Sequence, residues 1–190
     1  MARTRCRNVL FALHAALAMG ATAAASGCTG HDPYRPGEAI GVFHVAAKLV
    51  SSTCGATPNP WEFDVRLRHD QATLYWVQGG APISGTVDSA ARAVLKSSDV
   101  RTVRAADEKT KTAACTISRD DVLEVTLAPA PPPSVDLRGA TSFKGALSYR
   151  FTPTEGSSCE DQLAESGGDF PALPCAVSYE LEAARTGDSP

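Results

Sequence analysis

From residue 40 onward, apolar and polar residues alternate with a period of two, the pattern of a strand with one dry and one wet face. The clearest row is Trp61-Glu62-Phe63-Asp64-Val65-Arg66-Leu67-Arg68, whose apolar side chains share one face while its acids and arginines share the other. Phe43, Val45, Ala47 and Leu49 form a second row, and Leu123, Val125 and Leu127 a third. Phe143, Leu147, Tyr149 and Phe151 keep one phase through Gly145, and Val177, Tyr179 and Leu181 continue the phase of Cys175. Weaker strands are predicted over residues 74–78, 83–87, 91–96 and 100–105, with 89–96 also readable as a helical turn. One dry face on strand after strand implies antiparallel sheet.

Turn-prone segments at residues 69–71, 79–80, 107–111 and 119–121 separate consecutive rows. The expected fold is therefore all-β, an antiparallel meander of about eight to ten strands closing as a small barrel or as a two-sheet sandwich. The meander is interrupted by a loop at residues 51–60, a polyproline stretch at 129–134, and a long segment without alternation at 154–174. We assign residues 40–185 to one domain and 186–190 to a disordered tail.

The start of the chain obeys different rules. Arg3, Arg5 and Arg7 precede a short apolar run, VLFALHAALA, and a small-residue zone that reaches Gly27. A basic head, a short apolar middle and a small-residue end make a secretory signal peptide. The run is too short and too alanine-rich for a transmembrane helix, which needs roughly 20 strongly apolar residues. Ala23-Ala24-Ala25 satisfies ordinary signal peptidase cleavage before Ser26, whereas Ala25-Ser26-Gly27-Cys28 resembles the lipobox of bacterial lipoproteins, with alanine where leucine is usual. That resemblance implies a signal peptide over 1–27, acylation of Cys28 (palmitate or a similar chain), and a membrane partner held through the lipid. Thr29 after the cysteine, by resemblance to known sorting patterns, points to the outer membrane. The following residues 28–39 are polar and rich in Gly and Pro, as a flexible tether should be.

Composition sharpens this picture. The formal net charge is −3, and the arginines lost with the leader make the remainder more acidic still. Nucleic acid is excluded as a partner, because its binding needs clustered Lys and Arg. Of the six cysteines, Cys6 leaves with the leader and Cys28 takes the lipid. Cys54, Cys115, Cys159 and Cys175 remain, and in an exported chain they read as two disulfides. The expected pairing is Cys54 with Cys115 and Cys159 with Cys175, because the latter bridge would close the long irregular segment locally. Without a C-x-x-C pair or clustered histidines, neither a metal site nor redox catalysis is expected, and no cofactor.

Candidate chemistry is sparse. His44 falls on the polar face of its strand, His69 in a turn, and both read as solvated side chains. Ser84 lies in PISG, which lacks the G-x-S-x-G frame of a nucleophile elbow. Turn chemistry accounts for Asp120-Asp121 and loop solvation for Glu160-Asp161. Trp61, Phe63, Tyr75, Trp76, Phe143, Tyr149 and Phe151 either fill a core or line a cavity for a small apolar ligand. In the second case the chain resembles lipocalins in architecture alone, since GEAIGVF stands where their G-x-W signature would be. The expectation is a non-catalytic envelope protein with a binding or structural role. A lipocalin-like carrier is the first alternative and an envelope hydrolase the second.

Overall fold

The structure, a computed structural model, describes residues 32–129 and 136–188. The expected leader, Cys28, the first part of the expected tether and most of the proline stretch lie outside the described residues. Eight strands follow one another: β1 (Glu38–Ser52), β2 (Trp61–Asp70), β3 (Thr73–Val77), β4 (Ile83–Thr86), β5 (Arg92–Arg104), β6 (Cys115–Ala128), β7 (Ser142–Pro153) and β8 (Cys175–Gly187). The alternating rows drive this pattern, because only an extended chain puts every second side chain on the dry side.

All eight strands belong to one antiparallel sheet, in the order β4-β3-β2-β1-β8-β7-β6-β5. The first and last strands of the chain are thus neighbours in its middle, with Ala47 opposite Leu181 and Leu49 opposite Tyr179. The sheet curls until its two ends nearly meet. Val87 bridges Ala93, and the Asp88 amide donates to the Arg92 carbonyl at 2.8 Å. Gly85 makes that approach possible: a Cβ there would lie 2.3 Å from the Val94 carbonyl oxygen. Of the two expected closures, the chain adopts the barrel-like one. Past Ala93, the outer edge of β5 pairs with no strand among the described residues, although β4 passes close to it at Val94, and Val94, Val100 and Val103 are exposed.

The barrel is filled at one end. Phe43, Leu67, Leu127, Phe143 and Leu181 are fully buried there, and the 3-10 turn Leu137–Gly139 pushes Leu137 in as a plug. Each such side chain contributes roughly 1.5–3 kcal/mol on leaving water. The chain just ahead of β1 is pinned to the same end by Arg68, whose guanidinium donates to the carbonyls of Pro36 at 2.9 Å and Gly37 at 2.7 Å.

Several expectations need correction. Residues 91–96 and 100–105 are not separate strands or a helical turn but parts of the single long β5. Residues 119–121 are not a turn: β6 runs through them, and residues 107–112 alone turn β5 into β6. Acidic residues broke the apolar row there without breaking the strand. His69 is not in a turn but in β2, its ring largely enclosed. β1 begins at Glu38, inside the expected tether.

The cysteine pairing also differs: the bridges are Cys54–Cys175 and Cys115–Cys159. Strand order is the reason. β8 lies beside β1, so Cys54 just past β1 faces Cys175 at the start of β8, and the Thr53 amide donates to the Ala176 carbonyl at 2.9 Å. β6 lies beside β7, so the chain leaving β7 folds back along the start of β6, where the Ser158 amide donates to the Ala114 carbonyl at 3.1 Å. Joining Cys54 to Cys115 would have to span β8 and β7.

Candidate ligand-binding cleft

The other end of the barrel is open, and its inner wall is aromatic. Trp61 and Phe63 come from the start of β2, Tyr149 and Phe151 from β7, and Tyr179 from β8. Strand register stacks them: Leu147 faces Tyr179, Tyr149 faces Val177 and Phe151 faces Cys175. Ring centroids lie 4.6 Å apart for Trp61–Phe63, 5.5 Å for Trp61–Tyr179 and 5.7 Å for Tyr149–Phe151. Trp61, Phe63 and Tyr149 are only partly buried, unlike Trp76 and Phe143 deeper inside. The aromatic set named from the sequence therefore divides between core and cavity wall, except Tyr75, which alternates with the buried Leu74 and Trp76 and lies on the other face of β3.

Two loops frame the opening. The β1–β2 loop brings Thr57 and Pro58 over the rim, where the buried Tyr179 hydroxyl donates to the Pro58 carbonyl at 3.1 Å. The β7–β8 segment carries Phe170, held by the Ala164 amide donating to its carbonyl at 2.8 Å and by its own amide donating to Gln162 at 3.1 Å. Its ring sits 5.5 Å from that of Phe151. Arg104 anchors the same segment, donating to Asp161 at 2.9 Å and to the Ser158 carbonyl. That guanidinium holds the Asp161 carboxyl below the usual carboxylate range.

Between loops and barrel lies a cleft of about 350 Å³ lined by Cys54, Thr57, Trp61, Arg119, Tyr149, Phe151, Phe170 and Tyr179 together with smaller neighbours. A volume of a few hundred Å³ suits a small organic molecule. A second cleft of about 240 Å³ adjoins it over Val103 and Ile117, sharing Arg119, Phe151 and Phe170. A narrower pocket of about 60 Å³ continues inward between Trp61, Trp76, Leu95 and Leu147, again touching Arg119.

Arg119 stands where these spaces meet. On β6 it faces Phe151 on one side and Asp99 on the other. Its guanidinium carbon lies 4.8 Å from the centre of the Tyr149 ring and 5.8 Å from that of Phe151, a cation–π arrangement. Its Nε donates to Asp121 Oδ1 at 2.8 Å, while its terminal nitrogens make no hydrogen bond among the described residues. Burial, with the nearby Tyr179 hydroxyl adding to it, pushes the Tyr149 phenol up to about 12. The Tyr149 ring that faces Arg119 therefore stays neutral well above physiological pH. The Thr57 hydroxyl is buried and has no partner among the described residues.

The structure does not gather the other candidates into one site. His44 is exposed on the outer face, its Nδ1 at 2.9 Å from Asp64 across the β1–β2 pair. His69 points to the barrel interior at the plugged end, its Nε2 at 4.0 Å from Glu38. Ser84 is exposed on β4, separated from β1 by two strands. Asp120 accepts from Ser98 at 2.7 Å on the outer face, and Glu160 and Asp161 are tied to Ser158 and Arg104 rather than simply solvated. Among the described residues, no three His, Cys, Asp or Glu side chains converge as a metal site would require.

Arg119 and Asp121 escaped the sequence reading because they looked like turn residues. Counting back from Leu127, Val125 and Leu123 in steps of two places both on the inner face, which was the available signal. Thr57 and Phe170 sit in loops, where no periodicity marks them. Comparison with known proteins finds no match: no family model, no curated protein and no solved structure is significantly similar to this chain.

Proposed function

We propose that this protein is an exported, lipid-anchored binding domain of the bacterial cell envelope, non-catalytic, which holds a small molecule in the aromatic cleft at the open end of its barrel. The observation that carries this reading is the cleft of about 350 Å³, walled by the part-exposed rings of Trp61, Tyr149, Phe151 and Phe170. The separation of His44, His69 and Ser84 supports binding over hydrolysis. The disulfides favour an oxidising compartment outside the cytoplasm. Cys28, outside the described residues, supplies the proposed anchor, and two or more acyl chains on it give stable membrane attachment. An outer-membrane location rests on the residue that follows it.

Native mass spectrometry of the protein purified from its own envelope tests the binding reading. A non-covalent adduct that is lost in Trp61→Ala supports it, and an adduct-free protein whose Trp61 fluorescence ignores a panel of small apolar probes rejects it. Anchoring is tested separately by feeding a clickable fatty acid. The wild type should be labelled and Cys28→Ala should not; an unlabelled protein beginning at Ser26 would overturn the anchor.

A further inference from the structure

We propose that the ligand is a flat apolar molecule bearing an anionic group, a carboxylate or sulfonate, which docks on Arg119 while its body lies between Phe170 and Trp61. This rests on the reading of the cleft as a ligand site. Arg119 is the only charged side chain among the residues lining the cleft. Its partner Asp121 lines the narrow inward pocket instead, and takes only the Nε edge of the guanidinium. The outer fork of terminal nitrogens is left facing the cleft. Planar guanidinium groups bind carboxylate and sulfonate oxygens through two parallel N–H donors, a geometry that a point charge cannot match.

The surroundings enforce the sign of that charge. Tyr149 and Phe151 cover part of the guanidinium, while the side chain stays 44% exposed, so its terminal donors are accessible to a ligand entering the cleft. Asp99 and Arg101, in the adjoining cleft, already pair with each other at 3.1 Å and bring no net charge. A cationic ligand would be repelled by Arg119, and a neutral one would gain no charge-assisted bond from its free donors.

The test compares two fluorescent probes that differ only in the anionic group, anilinonaphthalene sulfonate and its uncharged analogue phenylnaphthylamine, on the intact purified protein. The sulfonate is expected to bind at least tenfold more tightly. In Arg119→Met, which keeps the apolar stem, the preference should fall below threefold through loss of sulfonate affinity. Arg119→Lys should recover only part of it. Salt at about 0.5 M should weaken the sulfonate alone, because screening acts on the charged contact. Equal affinities that Arg119→Met leaves alike would overturn the anionic ligand while keeping the cleft as a binding site. If neither probe binds, or if sulfonate binding survives Trp61→Ala, the cleft itself is not the site and both readings fail.

Discussion

Phe143 and Phe151 lie on the same strand and the same face of the sheet, yet one is 1% exposed and the other remains accessible at the rim. Around Phe143, the inner positions of the neighbouring strands are Leu127 and Ala183, and Leu137 closes the space from outside. Around Phe151, the equivalent neighbours are Arg119 and Cys175. Replacing an aliphatic neighbour with an arginine prevents the end of the barrel from collapsing, since a guanidinium cannot be buried without paired donors. One end of the molecule is thus organised for stability and the other for access. The two ends are held by different means, by packing at the plugged end and by covalent bridges and loop hydrogen bonds at the open one.

This contrast can be broken experimentally. The largest effect is expected from Cys54→Ser with Cys175→Ser. The chain-entropy model assigns that bridge roughly 5 kcal/mol, and the shorter Cys115–Cys159 loop about 4 kcal/mol. Urea denaturation should show the loss, and hydrogen exchange should show it concentrated in the loop around Thr57. Uniform loosening of both ends would contradict the division of labour. Phe43→Ala at the plugged end follows, at about 3–5 kcal/mol for a fully enclosed ring. Trp61→Ala should cost less than half as much in the same denaturation experiment, despite its larger ring, because it faces the cleft.

Alkaline titration gives a subtler separation. The folded Tyr149 phenol sits near 12, above its ordinary value of 10.0, so its contribution to stability is complete below pH 10 and is lost as pH rises through about 12. Tyrosinate absorbance should resolve one late-titrating phenol that is absent from Tyr149→Phe. A Tyr149 that titrates at the ordinary value would mean a wetter wall than the cleft geometry gives. The smallest effect belongs to Thr57→Val. Its hydroxyl has no partner to lose, so stability should change by less than about 0.5 kcal/mol or rise slightly. A loss above about 1 kcal/mol would place a protein partner on that oxygen.

The strands were readable wherever dry residues recurred without interruption, as in Trp61 to Leu67, and became unreadable where function or hydration substituted charge for hydrophobe. β6 illustrates this: its aliphatic half was recognised from Leu123, Val125 and Leu127, while the charges of residues 119–121 read as a false turn in the middle of the strand. That mistake also concealed the cleft, because Arg119 is its one charged wall. The disulfide pairing was illegible for a different reason. Local alternation specifies which residues face inward but not which strands become neighbours, and the bridges follow neighbourhood.

That neighbourhood has a temporal side. Because β8 completes the middle of the sheet, a chain delivered from its N-terminus onward exists first as two ribbons, β1 to β4 and β5 to β7, with β1 and β7 each waiting along an open edge. Such edges are templates for wrong pairing and aggregation until they are covered. Cys115 and Cys159 can meet before residue 175 arrives, whereas Cys54 must wait as a free thiol for a partner 121 positions later. A Cys54–Cys115 bridge formed during that wait would be an oxidation trap, escaped only by thiol–disulfide exchange. Oxidative refolding is therefore expected to gain more from a disulfide isomerase than from additional oxidant.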